Sequence, residues 1–293
     1  MKFKIISEEI KSILKQIIYK FYIIISTIGN NGIPILEENW DNLIILDCCR
    51  YDAFRIVYEK MNIKGRLEYR ISKGTNTESF LLGNFPFKYD NIVYVTGNPC
   101  VTRVLRGKVY KIINVWKRMP HPHPSLVYEA ALLALKKYPS KKLIIHFVQP
   151  HGPYSDGIGE FKLVHGKIKC KVDEKTLVDW PYIGCKVIDV SNLIRGYVRD
   201  LKLVMFYVKK LIDFLPGRTV VTADHGEAFG EKFGPLGLLR IYGHPAGIRI
   251  EPLVKVPWLV IEPKEKAEHV NLDKELIKIC ILNLKLLGRL EAK

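Results

Sequence analysis

The sequence has no C-x-x-C among its six cysteines, no apolar run that would cross a bilayer, no internal repeat and no low-complexity tract. Each absence removes a class of protein. Cys48, Cys49, Cys100, Cys170, Cys185 and Cys280 lie scattered, so no disulfide framework is predicted. Adjacent Cys48 and Cys49 close an apolar strand and read as buried thiols of a reducing compartment, with Cys170 and Cys185 the one pair that could bridge a loop. No small-residue cleavage site follows a clean apolar core, so a signal peptide is not expected. No RNA or DNA module signature is visible, which makes nucleic acid the weakest partner. A cytoplasmic protein, peripheral to a membrane at most, is the resulting expectation.

Positive charge, by contrast, is in excess. A formal net charge of +16 over 293 residues favours anionic partners: phosphorylated small molecules or an anionic membrane surface. A Lys-rich, merely solubilising surface would give the same balance. Residues 1–32 carry Ile10, Ile13, Leu14, Ile17, Ile18 and Phe21 at helical spacing, with Lys11, Lys15 and Lys20 between them. This basic amphipathic helix would lie on an anionic membrane or dock on the protein's own surface. Residues 33–293 are predicted to form a single α/β domain.

The central stretch is Thr219 to Glu231. Thr219 to Ala223 reads as a strand buried on both faces, ending on Asp224-His225-Gly226. Asn42 to Leu46 is a similar strand ending Asp47-Cys48-Cys49-Arg50, with a helix to about Lys60. Leu67 to Ile71 precedes Gly74-Thr75-Asn76-Thr77, a glycine turn that opens into a helix. Those hydroxyls either cap the helix or place a nucleophile where its N–H groups and dipole hold a phosphate. Ile92 to Thr96 is a strand, Ser125 to Tyr138 a helix, and His121-Pro-His123-Pro between them a loop. Lys142 to Val148 closes on Gln149-Pro150-His151-Gly152-Pro153-Tyr154. Residues 155–190 lack periodicity and read as a lid or substrate loop. A long helix over Ser191 to Leu215, a Gly-rich excursion ending at His244, a strand over Pro257 to Ile261 and a helix over 272–288 complete the chain. Strands alternating with helices predict a mostly parallel central sheet with helices on both faces, whose strand ends share one edge. Asp47, Thr75 or Thr77, His151, Asp224, His225 and His244 would converge there.

Taken together and in this order, these motifs resemble the alkaline phosphatase superfamily, in its sulfatase-like branch. That branch includes archaeal sulfatase-like proteins and the phosphoethanolamine and lipoteichoic-acid transferases. The resemblance runs from about residue 40 to 263. It implies that Asp47, Thr77, Asp224 and His225 hold a divalent metal, zinc or manganese before calcium or magnesium. It implies Thr77 as nucleophile, with Thr75 the alternative, and His151, His244 and Arg50 as groups acting on the substrate. Sulfatases carry a Cys or Ser followed by Pro and Arg, which is absent here, and Cys48 stands where a second acid is usual. The expected function is therefore a metal-dependent hydrolase or transferase of an anionic phosphate-type ester through a covalent threonine. The alternatives are a sulfuric-ester hydrolase using Thr directly, or a catalytically silent binder of anionic lipids or glycans.

Overall fold

Strand β1, Asn42–Asp47, is buried at every residue, and its side chains alternate between two apolar clusters. Ile44 and Leu46 enter one cluster, Leu43 and Ile45 the other. A strand with two dry faces needs helices on both sides, and that requirement organises the chain. The computed structural model describes residues 17, 31–119, 121–154, 176–178, 190–233, 239–263 and 271–279. Nearly all of the predicted amino-terminal helix, most of 155–190, the end of the predicted carboxy-terminal helix, and Cys170, Cys185 and Cys280 lie outside them.

After β1 come α1 (Tyr51–Tyr58), β2 (Arg66–Ile71), α2 (Thr77–Asn84), β3 (Tyr89–Thr96), α3 (Pro99–Leu105) and β4 (Val109–Asn114). Helix α4 (Pro124–Lys137), β5 (Lys142–Pro150), β6 (Thr176–Val178), α5 (Val190–Ile212) and β7 (Thr219–Ala223) follow. The remainder holds β8 (Ala228–Phe233), β9 (Leu239–Gly243), the short α6 (Glu251–Val254) and β10 (Lys255–Ile261). Seven strands form one sheet in the order β2-β10-β7-β1-β5-β3-β4. Strand β10 is antiparallel to both its neighbours, and every other pairing is parallel. This is the mixed, mostly parallel α/β sheet that the alternating pattern predicts. Helices α1, α4 and α5 bury residues such as Phe54, Val127 and Leu201 against one face. Phe80 and Leu81 of α2 and Val101 of α3 cover the other. No helix among the described residues is long and apolar enough to cross a membrane.

Two stretches fold more than their sequence announces. Helix α3 has only seven residues and β4 exposes Tyr110 and Lys111, so neither shows a clear period. The Gly-rich excursion after His225 is the β8–β9 hairpin of a second, three-stranded sheet, β6-β9-β8. Its Gly230 has φ +102, and a side chain there would approach Tyr242 Oη to 2.6 Å. That glycine makes the bulge between Phe229 and Glu231; it does not loosen a loop.

Candidate active site

Register alone brings the two acids together. Leu46 of β1 pairs with Ala223 of β7, so Asp47 and Asp224 leave the sheet as neighbours at its carboxyl edge. Asp224 Oδ1 accepts from the His225 and Cys48 backbone N–H groups, at 2.9 and 3.2 Å. Gly226 is needed because a Cβ there would fall 2.0 Å from the Pro252 carbonyl oxygen. After β2, Gly74 is needed for the same reason, since a Cβ there would fall 2.2 Å from Phe80 N. Asn76 then caps α2 by accepting from Ser79 N, and Ser79 returns the bond, so the helix starts at Thr77.

That start places the Thr77 hydroxyl against the acids. Thr77 Oγ1 donates to Asp224 Oδ2 at 2.7 Å. Thr75 faces elsewhere: its Oγ1 donates to the Pro245 carbonyl and accepts from Gly247 N, at 3.1 and 2.9 Å. It ties down the loop that follows His244. Of the two threonines, Thr77 is the one hydrogen-bonded to an acid.

The three groups at this edge share a dry environment. Asp47, Asp224 and His225 are all fully buried. Burial, then repulsion from Asp224, holds the Asp47 carboxyl well above the usual carboxylate range. Burial raises Asp224 as well, against opposing pulls from His146 and the Thr77 hydrogen bond. Burial, then His244, pushes His225 down to about 3, leaving a neutral imidazole. Asp47 Oδ1 is buried without a hydrogen-bond partner. Ligand atoms of Asp47, Asp224 and His225 lie within 4.8 Å of one another. Two uneasy carboxylates and a neutral imidazole are a donor set that fits zinc or manganese.

Two further histidines flank this group. The His244 ring centroid is 4.7 Å from that of His225 and 5.1 Å from that of His151. Strand β9 delivers His244, and the turn after β5 delivers His151, so the two arrive from different sheets at one place. Glu227, 1% exposed, sits 2.9 Å from His244 Nδ1 through its Oε2. Arg50 is engaged differently. Its guanidinium meets Asp52, Glu231 and the Glu227 carbonyl and lies over the Phe229 ring. It joins α1 to β8.

Several residues here carry no signal in a single sequence. Asn98, the cap of α3, donates to Asp47 Oδ2 at 2.6 Å and to Thr77 Oγ1 at 3.3 Å. His121, read as part of a plain loop, makes a 2.9 Å hydrogen bond from Nε2 to the His151 carbonyl. His146 lies inside β5 among apolar residues, which disguises it. Its Nε2 stands 3.8 Å from Asp47 Oδ2 and 3.7 Å from Asp224 Oδ2, and its Nδ1 is 3.0 Å from Tyr94 Oη. Burial lowers this imidazole to about 4, so it carries one proton. At those distances Nε2 makes no hydrogen bond, while Nδ1 and the Tyr94 hydroxyl are within hydrogen-bond range. Tyr94→Phe removes the buried hydrogen bond to His146 and should cost about 1–3 kcal/mol of stability. Thermal unfolding equal to wild type would remove this role.

No family model and no curated protein matches the chain. Solved structures do. The C-terminal periplasmic domain of EptC from Escherichia coli, in complex with Zn, superposes with a TM-score of 0.49 and 14% identity over 78% of this chain and 73% of that one. A protein in the alkaline phosphatase superfamily from Vibrio parahaemolyticus gives 0.38 and 13%, over 81% and 64%. The integral membrane lipooligosaccharide phosphoethanolamine transferase A of Neisseria meningitidis gives 0.47 and 14%, over 81% of this chain. This chain spans 50% of that transferase's length.

Proposed function

We propose that this chain is a metal-dependent hydrolase or transferase of a phosphate-type ester, working through a covalent intermediate on Thr77. One observation carries the reading: a hydroxyl at the start of a helix donates to Asp224 at 2.7 Å, beside a buried acid with an unpartnered oxygen. A silent binding protein gains nothing from such an oxygen, since leaving it unsatisfied costs about 1–3 kcal/mol or more.

Asp47, Asp224 and His225 would hold the cation. When bound, it would acidify the Thr77 hydroxyl and draw charge from the transferred group's oxygens. The remaining work falls to the chain. Thr77 Oγ1 forms a bond to phosphorus as its proton leaves toward Asp224 Oδ2, and the ester P–O bond breaks. The leaving oxygen takes a proton from solvent. Asn98 steadies both Asp47 and Thr77 during this displacement. The His151 and His244 side of the site meets the outer oxygens, where charge is greatest. Water then attacks phosphorus in a hydrolase, or an alcohol in a transferase, and Thr77 Oγ1 recovers its proton. The excess of basic residues suits an anionic substrate.

Full-length protein loaded with zinc or manganese, mixed with an aryl phosphate and quenched rapidly in acid, should carry a phosphoryl group on the Thr77 peptide. Turnover with no adduct on that peptide would overturn the covalent step.

A further inference from the structure

Helix α5 presents a surface that the reaction does not use. Its 23 residues carry five basic side chains, Arg195, Arg199, Lys202, Lys209 and Lys210, and a single acid, Asp200. That acid is fully buried. The helical period makes the division. Tyr197, Leu201, Val204, Val208 and Leu211 enter the apolar layer against the sheet, so Arg195, Lys202, Phe206 and Lys209 turn outward. A helix that meets only water usually mixes acids and bases at i, i+4 spacing, which stabilises it. Here that spacing sets Arg195 beside Arg199, two like charges.

The neighbours in the same layer extend the pattern. Helix α1 packs beside α5, and the Lys209 ammonium donates to the Met61 carbonyl just past the end of α1 at 2.9 Å. Ile56 of α1 and Phe206 of α5 are each 52% exposed, and Arg55 and Lys60 are exposed near Ile56. Lys210 joins α5 to residues 272–279, lying over the Phe206 ring and pairing with Glu275 at 3.3 Å. There Leu272, Leu276 and Ile279 pack inward, while Ile277 is 60% exposed between the exposed Lys274 and Lys278. The two acids of that stretch are engaged, Glu275 by Lys210 and Asp273 by Lys136.

We propose that the outer face of α5, with Ile56 and Ile277 beside it, docks on an anionic lipid bilayer and lies on it without crossing it. Anionic headgroups meet the lysines and arginines, and Phe206, Ile56 and Ile277 enter the boundary between headgroups and acyl chains. The apolar members favour a bilayer over a nucleic acid. A phosphate backbone rewards positive charge and leaves an exposed isoleucine without a partner, whereas an acyl boundary takes it up.

The test mixes the full chain with vesicles of phosphatidylglycerol and phosphatidylcholine in equal parts, or of phosphatidylcholine alone, and separates bound protein by flotation. Wild type should bind the anionic vesicles about tenfold or more tightly, with affinity falling as salt rises. The double variant Lys202→Glu, Lys209→Glu should lower that affinity about tenfold or more, and Phe206→Ser should weaken it severalfold. Each should keep the far-ultraviolet circular dichroism spectrum of wild type, since the altered side chains are exposed. Wild type that fails to bind would overturn the proposal. Variants that bind as wild type does would also overturn it, and would assign lipid binding to the basic amphipathic stretch of residues 1–32. Equally tight binding to a DNA duplex, lost in the same variants, would replace the bilayer with polyanions in general. No turnover is measured, so the outcome is separate from that of the metal-centre reading.

Discussion

Thr77→Ala should lower turnover of an aryl phosphate or phosphodiester by about a thousandfold or more, equivalent to about 4 kcal/mol of lost transition-state stabilisation. The expected pattern is a fall in kcat with little change in KM, because the hydroxyl acts on the reacting atom and does little to hold the ground state. Thr77→Ser should restore much of the rate, since it returns an oxygen to the same helix start. Thr75→Ala provides the contrast. It removes the bonds to Pro245 and Gly247, so its cost of about 1–3 kcal/mol should appear in stability, not in the rate per folded molecule. Rates and thermal unfolding of all three variants decide the matter. Full activity in Thr77→Ala would end the case for a threonine nucleophile, and a larger rate loss in Thr75→Ala would move it by two positions.

Asp224→Asn should abolish the tightly bound cation and turnover with it, while the protein stays folded. Asparagine keeps an oxygen for the Cys48 and His225 N–H groups but loses the charge that faces Thr77 and His146. Stability should report this separately from activity. A buried carboxyl whose native pKa is raised keeps its proton to higher pH than in the unfolded chain. The native state then binds more protons, and stability falls as pH climbs past the ordinary carboxyl range near about 4. The variant lacks this burden, so without metal it should be at least as stable as metal-free wild type near neutral pH. Comparing the two proteins cancels the opposite slope of His225, whereas His146 loses the upward pull of Asp224 and falls further in the variant. With zinc at about 100 times its dissociation constant, wild type should gain about 2.7 kcal/mol for a single site. Thermal unfolding with and without zinc gives both comparisons. A zinc-dependent stabilisation of the same size in Asp224→Asn would show that Asp224 does not hold the ion.

The parts of the fold legible in sequence are those where burial leaves a continuous apolar run. Strands β1, β5 and β7 announce themselves this way, and each ends on residues that converge at the sheet edge. Asp224-His225-Gly226 is legible for the same reason, although its glycine turns out to be a packing requirement against Pro252. The residues that escape are those whose role depends on pairing across the chain. Asn98 reaches Asp47 from a helix too short to show a period, and His146 sits in a strand as one polar residue among apolar ones. Arg50, two residues beyond Cys48, is adjacent in sequence to the site but turns its charge toward Asp52 and Glu231. Cys48 could be counted but not placed, because its left-handed backbone (φ 62) follows from Asp224 holding its N–H and Tyr197 of α5 donating to its carbonyl.

The small sheet limits how far this chain can be re-engineered. Strand β6 pairs in parallel with β9, Thr176 opposite Arg240 and Val178 opposite Tyr242, and β9 is the strand that delivers His244. Residues 176–178 thus act as a splint on the histidine's own support. A chimera that exchanges residues 155–190 for those of another protein would have to carry a strand-forming triplet at the same distance from both ends. A graft designed only to change what the stretch recognises would unsettle an imidazole that is remote from it in sequence. Modularity at this position is therefore bounded by three residues of backbone pairing.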